Sequence, residues 1–331
     1  MEKSKLTRRQ FLQVAAAGVG ASALTGTGLY RWKKDSPLAL IKTTKFLLGT
    51  GVTITVEHPE TVLAERAISK AFAAIEKVDR VMSIHRPDSD LARVNAAAGR
   101  DAIPVDSSLC EILELARDFY QQTGGAYDVT CLPLMRLYGF YSGAQRLEHY
   151  PTDREIYAIL DAVGQKNIVM DVSRQTVGIA RKGCAIDLGS IGKGYAVDQA
   201  VAILRQEGIE NALVDAGGNL FAMGTPKHQP EGWQIAIRNP EGSKENPYFE
   251  TIPMTHKGVA TSGNYEQSVW LAGRKVGHLF DMRSGKPANR GISATVVAAN
   301  ATLADVLSTA TFVFENRDRL APLAEKIFYH G

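Results

Sequence analysis

The chain has 331 residues, of which 45% are hydrophobic and 22% charged, and it carries a formal net charge of +3. This balance is typical of a globular protein long enough for a large core in one or two lobes. The small net charge and the lack of any motif that reads RNA or DNA exclude nucleic acid as the expected partner. The three cysteines, Cys110, Cys131 and Cys184, are widely spaced without a CxxC pair, so we expect free buried thiols rather than a disulfide framework or zinc site.

The N-terminus carries a targeting signal. Arg8 and Arg9 precede Phe11 and a weakly apolar run rich in alanine and glycine, followed by small residues at 21–23. This order is typical of an export signal, and the arginine pair indicates the twin-arginine pathway. The apolar run is too short and too polar for a membrane-spanning helix, which needs about 20 mainly apolar residues. The alternative is an ordinary basic, amphipathic N-terminus.

We therefore predict a twin-arginine signal peptide and linker over residues 1–40 and one folded domain over residues 41–331. The predicted location is the periplasm, with membrane association if the signal is retained as an anchor. The export machinery of that pathway is the first predicted partner.

Hydrophobic periodicity predicts the elements of the domain. Those up to residue 180 are, in chain order, a strand at 45–58, a helix at 61–83, a short helical turn after Pro87, a helix at 107–125 capped by Ser107 or Ser108, a helix at 153–163, and strands at 167–171 and 175–180. The elements after residue 180 are a glycine turn, a helix at 194–206, a strand–turn–strand at 211–224, strands within 233–240, 249–264, 275–289 and 292–300, and a final helix at 302–315. Because no regular βαβ alternation occurs, we predict an α+β fold of mostly antiparallel sheets flanked by helices.

The stretch "AIDLGSIGKGYAVDQA", residues 185–200, combines glycines with a lysine. It fails as a Walker loop because Lys193 is followed by glycine. It also fails as a dinucleotide fingerprint because its glycines fall at 189, 192 and 194. A glycine turn with Lys193 at the start of a helix remains, and the free N–H groups there favour an anion. The alternative is a tight turn beside an exposed lysine.

The stretch "TLADVLSTAT" places Asp305 and Thr309 four residues apart, so on a helix their oxygens share one face. A carboxylate and a hydroxyl are hard oxygen ligands that suit Mg²⁺. The alternative is a capping box, in which Thr302 and Asp305 only cap the helix. Spacing alone leaves both interpretations open.

Eight segments occur in an order and spacing that resemble the ApbE family of FAD:protein FMN transferases, over about residues 45–315. They are "LLGTGVTITV", "MSIHRPDSDLARVN", "GGAYDVTCLPLMRLYGF", "AIDLGSIGKGYAVD", "ALVDAGGNLFAMG", "GVATSGNYE", "GHLFDMRSGKPA" and "SATVVAANATLADVLSTATFVF". The resemblance implies two closely packed lobes with FAD in the cleft between them. The twin-arginine signal is also similar to that of the NosX-like subgroup, which is associated with nitrous-oxide reductase maturation.

The resemblance implies a reaction in which a Ser or Thr hydroxyl of a target flavoprotein attacks the phosphorus of FAD nearer riboflavin. FMN becomes esterified to the target, and AMP leaves. Mg²⁺ neutralises the pyrophosphate in such a reaction. By resemblance, the metal is held by the side chains of Asp305 and Thr309 and by a backbone carbonyl near Ser190.

The same resemblance assigns the remaining site residues. The residues implied to line the FAD cleft are Met82, Ser83, Asp128, Asp187, Lys193, Gly217, Gly218, Thr261, Ser262 and Gly263. For Asp187, ordering of the glycine turn is the alternative to ligand contact. His278 and Asp281 are the candidate catalytic groups, and histidine suits a base because its pKa lies near the working pH. The alternative for His278 is a strand histidine with a satisfied hydrogen bond.

Four positions depart from the family pattern. His85 stands where the family has an aromatic residue, and Met282 replaces the proline that usually follows the aspartate of the turn. Ser284 replaces the threonine of the same turn, and Ser190 stands where alanine or glycine is common. Two other functions stay open: an FAD pyrophosphatase that releases FMN and AMP, and a non-catalytic FAD-binding maturation factor.

Overall fold

The computed structural model describes residues 38–141, 149–243, 245–264, 267–288 and 291–330. Residues from Pro37 onward form one compact unit. The predicted twin-arginine signal lies outside the described residues except for the end of its linker. Within the described ranges, no helix is long and apolar enough to cross a membrane.

The described residues contain strands and helices in mixed order. The strands are β1 (Ala39–Leu47), β2 (Thr50–His58), β3 (Ile103–Pro104), β4 (Ile168–Asp171), β5 (Thr176–Ile179), β6 (Asn211–Ala216), β7 (Asn219–Met223), β8 (Trp233–Arg238), β9 (Tyr248–Met254), β10 (Lys257–Gly263), β11 (Ser268–Leu271), β12 (Arg274–Gly277), β13 (Phe280–Asp281), β14 (Lys286–Pro287), β15 (Ser293–Ala298) and β16 (Lys326–His330). The helices are α1 (Thr61–Met82), α2 (Asp90–Ala96), α3 (Ser107–Gln122), α4 (Leu132–Leu137), α5 (Asp153–Ala162), α6 (Gly192–Gln206) and α7 (Ala301–Val313).

A seven-stranded sheet in the order β1-β2-β6-β7-β10-β15-β16 forms the centre of the fold. Every strand pair in it is antiparallel. Helices α1, α6 and α7 pack together on one face, and side chains such as Ile54, Phe72 and Phe312 are fully buried there. The β8–β9 hairpin covers the other face through a smaller core that includes Trp233 and Leu220. The predicted α+β fold with antiparallel sheets and flanking helices is confirmed.

Most predicted helices are confirmed within a few residues of their expected ends. Helix α1 runs over Thr61–Met82 and buries a stripe of apolar residues spaced three or four positions apart. The cap of α3 is Asp106 rather than Ser107 or Ser108, because the Asp106 carboxylate accepts the Ser108 N–H. Helix α5 begins with a capping box between Thr152 and Glu155.

The single strand predicted at 45–58 is wrong, since the structure forms a hairpin of β1 and β2 there. Leu48 and Gly49 form its two-residue turn with φ angles of 54° and 74°. Two adjacent positive φ values are typical of the turns that match the twist of antiparallel strands. Strand β1 consequently begins at Ala39, inside the predicted linker.

The cysteines are free, as predicted: Cys110 and Cys184 are buried and Cys131 is half-buried. Burial raises the pKa of all three thiols, and for Cys184 the value reaches about 11. The thiols are therefore protonated and unreactive at neutral pH.

Candidate functional site

The N-terminus of α6 lies directly against α7. The N–H of Gly194 donates a hydrogen bond of 2.9 Å to Oδ2 of Asp305, which is only 3% exposed. A Cβ on Gly194 would lie 2.3 Å from the carbonyl oxygen of Ala301. Only glycine permits this approach, which explains why the glycine-rich stretch continues into the first turn of the helix.

The N-terminus of α7 is capped by residues other than the predicted pair. Asn300 is the N-cap and accepts the Leu303 N–H, while Asp198 of α6 accepts the N–H groups of Ala301 and Thr302. The capping-box interpretation of Thr302 and Asp305 is therefore wrong. Asp305 lies one turn further along the helix and is available for another role.

Asp305 and Thr309 lie on one face of α7, as their spacing predicts. Thr309 Oγ1 lies 2.9 Å from Ser262 Oγ, so β10 brings one of the predicted cleft residues to the same place. Ser190 approaches from the glycine turn, and its hydroxyl lies 3.0 Å from the buried Tyr127 hydroxyl.

The carbonyl of Ser190 is free in the described part of the chain. In a regular helix Gly194 would donate to it, but the Gly194 N–H donates to Asp305 instead. Helix α7 thus offers a carboxylate and a hydroxyl, and the glycine turn offers a free carbonyl; hard oxygens of this kind fit Mg²⁺ with water completing the shell. No group of three His, Cys, Asp or Glu side chains that could hold a metal occurs among the described residues.

The environment of Asp305 favours a nearby cation. Burial raises its pKa, and the charge of Lys193, the Gly194 N–H and the Asn219 amide act in the opposite direction. The Nδ2 atom of Asn219 is buried and forms no hydrogen bond of ordinary length. A buried carboxylate with a raised pKa is stabilised in its charged form when a cation binds.

Asp187 orders the glycine turn. One of its carboxylate oxygens accepts the Gly189 N–H at 2.7 Å, and the other accepts the Tyr141 hydroxyl at 2.9 Å. Lys193 folds back so that its Nζ donates to the Gly189 carbonyl at 3.0 Å. The contacts of Asp187 therefore agree with the ordering role proposed for it, and the lysine charge lies at the turn.

The C-terminal end of α1 forms a second side of the candidate site, next to the glycine turn. Met82 is buried at the last position of the helix, and the Ser83 hydroxyl accepts the His85 N–H. The His85 ring meets the edge of the Tyr141 ring with centroids 5.3 Å apart. Through Tyr141 and Asp187 this wall connects to the glycine turn, so two motifs far apart in sequence line one surface.

The charges of Lys193 and Asp187 also act on His278. Burial lowers its pKa, the Lys193 charge lowers it further, and the charge of Asp187 acts in the opposite direction. In the chain, His278 directly follows β12. Its Nδ1 lies 3.2 Å from the carbonyl of Gln267. Because a carbonyl only accepts, Nδ1 carries the proton and Nε2 of the neutral ring is a free base.

Asp281 has a different environment. Its carboxylate accepts the side chain of Arg283 at both oxygens, at 2.9 and 2.6 Å, and also the Arg283 backbone N–H. Such a bidentate ion pair stabilises the turn. The catalytic role of Asp281 stays a prediction, and its visible contacts are structural.

The other predicted cleft residues differ in what they contact. Asp128 accepts three hydrogen bonds from Thr130 and Gln165 and so joins two short turns. Gly217 and Gly218 have φ angles of 65° and 93° and form the β6–β7 turn. These residues shape the backbone around the site.

The hydroxyl of Thr261 pairs with Thr295 on the neighbouring strand, at 2.8 Å. Gly263 is buried at the end of β10. Thr261 is thus engaged within the central sheet, whereas its neighbour Ser262 reaches Thr309 of α7.

Sequence reasoning missed three polar residues at the site. Tyr127 contacts Ser190, Tyr141 contacts Asp187, and Asn219 lies beside Asp305. Tyr127 and Asn219 lie within segments that resemble the family, each next to a selected residue, whereas Tyr141 directly follows such a segment. Their pairing across the chain has no local signature, so only the fold reveals it.

A sequence model of the ApbE family matches residues 48–328. The chain belongs to the ApbE family. It is 32% identical over 270 residues to a protein of Treponema pallidum named FAD:protein FMN transferase, covering 78% of this chain and 74% of that protein. It is 31% identical over 269 residues to the protein of the same name from Salmonella typhimurium, covering 80% and 76%.

Solved ApbE structures share the fold. The ApbE protein of Thermotoga maritima matches with a TM-score of 0.77 and 29% identity, covering 88% of this chain and 94% of that chain. The flavin transferase ApbE of Vibrio cholerae matches with a TM-score of 0.75 and 26% identity, covering 89% and 98%. A histidine-to-glycine variant of the latter has also been solved and matches with a TM-score of 0.74.

Proposed function

We propose that this ApbE protein is an Mg²⁺-dependent flavin transferase that moves the FMN part of FAD onto a Ser or Thr hydroxyl of a target flavoprotein and releases AMP. The names of its relatives support the activity. The observation that carries the proposal is the hydrogen bond from Gly194 to Asp305, which joins the glycine turn and its Lys193 to a buried carboxylate of α7. A cation, a neutral base and a buried carboxylate are the groups that phosphoryl transfer requires.

His278 removes the proton in this scheme. The acceptor hydroxyl oxygen forms a new bond to the phosphorus nearer riboflavin, and its proton passes to Nε2 of His278. The bond from that phosphorus to the bridging oxygen breaks, and the electron pair leaves with AMP. The lowered pKa of His278 keeps its ring neutral at pH 7, so the base is ready before the acceptor binds.

The start of α6 binds the phosphates. Lys193 supplies a positive charge there, and the positive end of the helix dipole favours an anion at the same place. Asp305, Thr309 and the Ser190 carbonyl would hold Mg²⁺, which neutralises charge on the pyrophosphate when bound. The wall of Met82, Ser83 and His85 receives the riboflavin end of the substrate.

One assay separates the candidate functions. The full chain is incubated with FAD, Mg²⁺ and the flavin-free acceptor protein of the Vibrio cholerae flavin transferase. A fluorescent band at the acceptor in a denaturing gel, with one AMP released per flavin attached, supports the transferase. AMP and free FMN without a labelled acceptor would identify a pyrophosphatase. Bound FAD without turnover would identify a non-catalytic maturation factor, such as one for nitrous-oxide reductase.

We also propose export by the twin-arginine pathway to the periplasm, supported by Arg8 and Arg9. Residues 1–40 fused to a reporter that folds before export should carry it to the periplasm. Replacing both arginines with lysine should leave the reporter in the cytoplasm. Export that survives this replacement would contradict the assignment.

A further inference from the structure

We propose that the β11–β12 hairpin is the docking surface for the acceptor protein and that it prefers an acidic segment of that protein. This inference rests on the proposed transferase function. It concerns the second substrate, which must bring a hydroxyl to the reacting phosphorus. The residues that carry it are Trp270 and Lys275, here called the hairpin face.

The hairpin has one buried side and one exposed side. Leu271 and Val276 are 1% and 4% exposed and pack into the main core. Trp270 is 59% exposed and pairs directly with Lys275 across the two strands. Since side chains alternate along a strand, Trp270 and Lys275 point away from the core together, about 5 Å apart at Cβ.

The cation of the hairpin face is unpaired. Lys275 is exposed and forms no ion pair with any residue in the described ranges. An exposed tryptophan beside a free cation has the composition of a binding hot spot, where Trp is enriched. A free cation attracts carboxylates and steers an acidic partner toward this face.

The hairpin face lies next to the catalytic base. His278 directly follows Gly277, the last residue of β12, and its Nδ1 is bonded to the Gln267 carbonyl just before β11. Both ends of the hairpin therefore meet at His278. Lys275 lies three residues from His278, or roughly 10 Å along an extended strand. An acceptor held on the face is thus held beside the chain segment that carries His278.

The hairpin is preformed for binding. Ala272 and Gly273 form its two-residue turn with φ angles of 44° and 75°. Turns of this type match the strand twist and fix the register of the pair. A rigid face loses little conformational freedom when a partner binds, which favours affinity.

The test compares acceptor kinetics for Trp270→Ala and Lys275→Glu with the wild type, using the flavin-free Vibrio cholerae acceptor at saturating FAD and Mg²⁺. We expect the KM for the acceptor to rise about 10-fold or more, in line with the loss of a hot-spot contact. The kcat and the affinity for FAD should stay within about twofold, because neither side chain contacts the FAD site. Tyr248→Ala on β9 and Lys166→Glu are the matched aromatic and charge controls.

Salt and direct binding complete the test. Raising the salt concentration should increase the wild-type KM for the acceptor more than that of Lys275→Glu, because screening weakens exposed charge attraction. Calorimetric titration of the acceptor without FAD measures docking even if no flavin is transferred, so the two proposals fail separately. Equal acceptor binding by wild type and both variants, no binding by the wild type, or a parallel loss of FAD affinity would overturn the docking surface. Absence of labelling with intact, Trp270-dependent binding would instead overturn the transferase.

Discussion

Gly194 and Asp305 meet through a hydrogen bond of 2.9 Å although 111 positions separate them in the chain. This bond draws the N-terminus of α6 onto α7 and diverts the Gly194 N–H from the Ser190 carbonyl. The same contact therefore fixes a carboxylate and frees a carbonyl. The geometry of the candidate metal site depends on the absence of a side chain at one position.

Gly194→Ala should separate the two helices. Its Cβ would lie 2.3 Å from the Ala301 carbonyl and 2.8 Å from Cβ of Asp305, and neither atom belongs to a flexible side-chain end. We expect a loss of roughly 1–3 kcal/mol in unfolding free energy, as for other overpacked sites, together with weaker Mg²⁺ binding. Denaturant unfolding and metal titration measure both. Gly192→Ala is the control, because nothing lies within 4 Å of its Cβ, and it should retain wild-type stability and binding.

Asp305→Asn should abolish Mg²⁺-dependent turnover while keeping the fold. The amide oxygen of asparagine still accepts the Gly194 N–H, and a buried neutral group avoids the cost of a buried charge. Isothermal titration with Mg²⁺ and melting temperature are the readouts. Asp198→Ala should instead keep Mg²⁺-dependent turnover and lower the unfolding free energy by about 0.5–2 kcal/mol, because it removes the acceptor of two N–H groups at the start of α7. Undiminished Mg²⁺ affinity in Asp305→Asn would refute the ligand assignment.

The rate of flavin transfer should depend on the ionisation of His278. Its pKa is lowered below the ordinary value of 6.5, so the base is neutral at pH 7 and becomes protonated only in more acidic solution. We expect kcat/KM to be constant near neutral pH and to fall below pH 6.5. His278→Gln should lower the rate by about 10²–10⁴-fold and remove this acid limb. A pH profile of the variant that still falls in the same range would assign the limb to another group.

The pair of Glu57 and His228 should make stability fall in acid. Burial would raise the pKa of Glu57, but the hydrogen bond from His228 and the backbone N–H of Lys227 lower it overall. A lowered carboxyl pKa stabilises the fold above the unfolded value of 4.5, and the benefit is lost as the pH falls through the folded value. Glu57→Gln should lose about 1–3 kcal/mol at pH 7 and show a flatter acid dependence. Exposed Glu60→Gln, tested in the same pH series of denaturant unfolding, should behave as the wild type.

Local patterns predicted much of the fold. The apolar stripe of α1 and the glycine stop after α3 are properties of contiguous residues, so they can be read from periodicity and turn chemistry. The spacing of Asp305 and Thr309 likewise predicted a shared helix face. Errors arose where a distant group competed with a local one. Asp198, on another helix, caps α7 and makes the local capping box unnecessary.

The site was predictable by resemblance but not by residue type alone. In the sequence, Asp281 is an acidic residue of a predicted turn and so a candidate catalytic group. Only the structure shows that Arg283 donates to both of its carboxylate oxygens. Tyr141 has no local feature of a ligand-binding residue, yet its hydroxyl supports Asp187. Contacts that join separate segments depend on tertiary packing, so local sequence patterns do not predict them.

The order of the central sheet has a consequence for synthesis of the protein. Strands β10 and β15 and helix α7 belong to the last quarter of the chain, and β16 pairs with β15 at the sheet edge. The oxygen donors on α7 can therefore meet the glycine turn only after residues 301–313 have been synthesised. A chain truncated before Ala301 keeps Lys193 and the glycine turn but lacks Asp305 and Thr309, so it cannot form the candidate metal site.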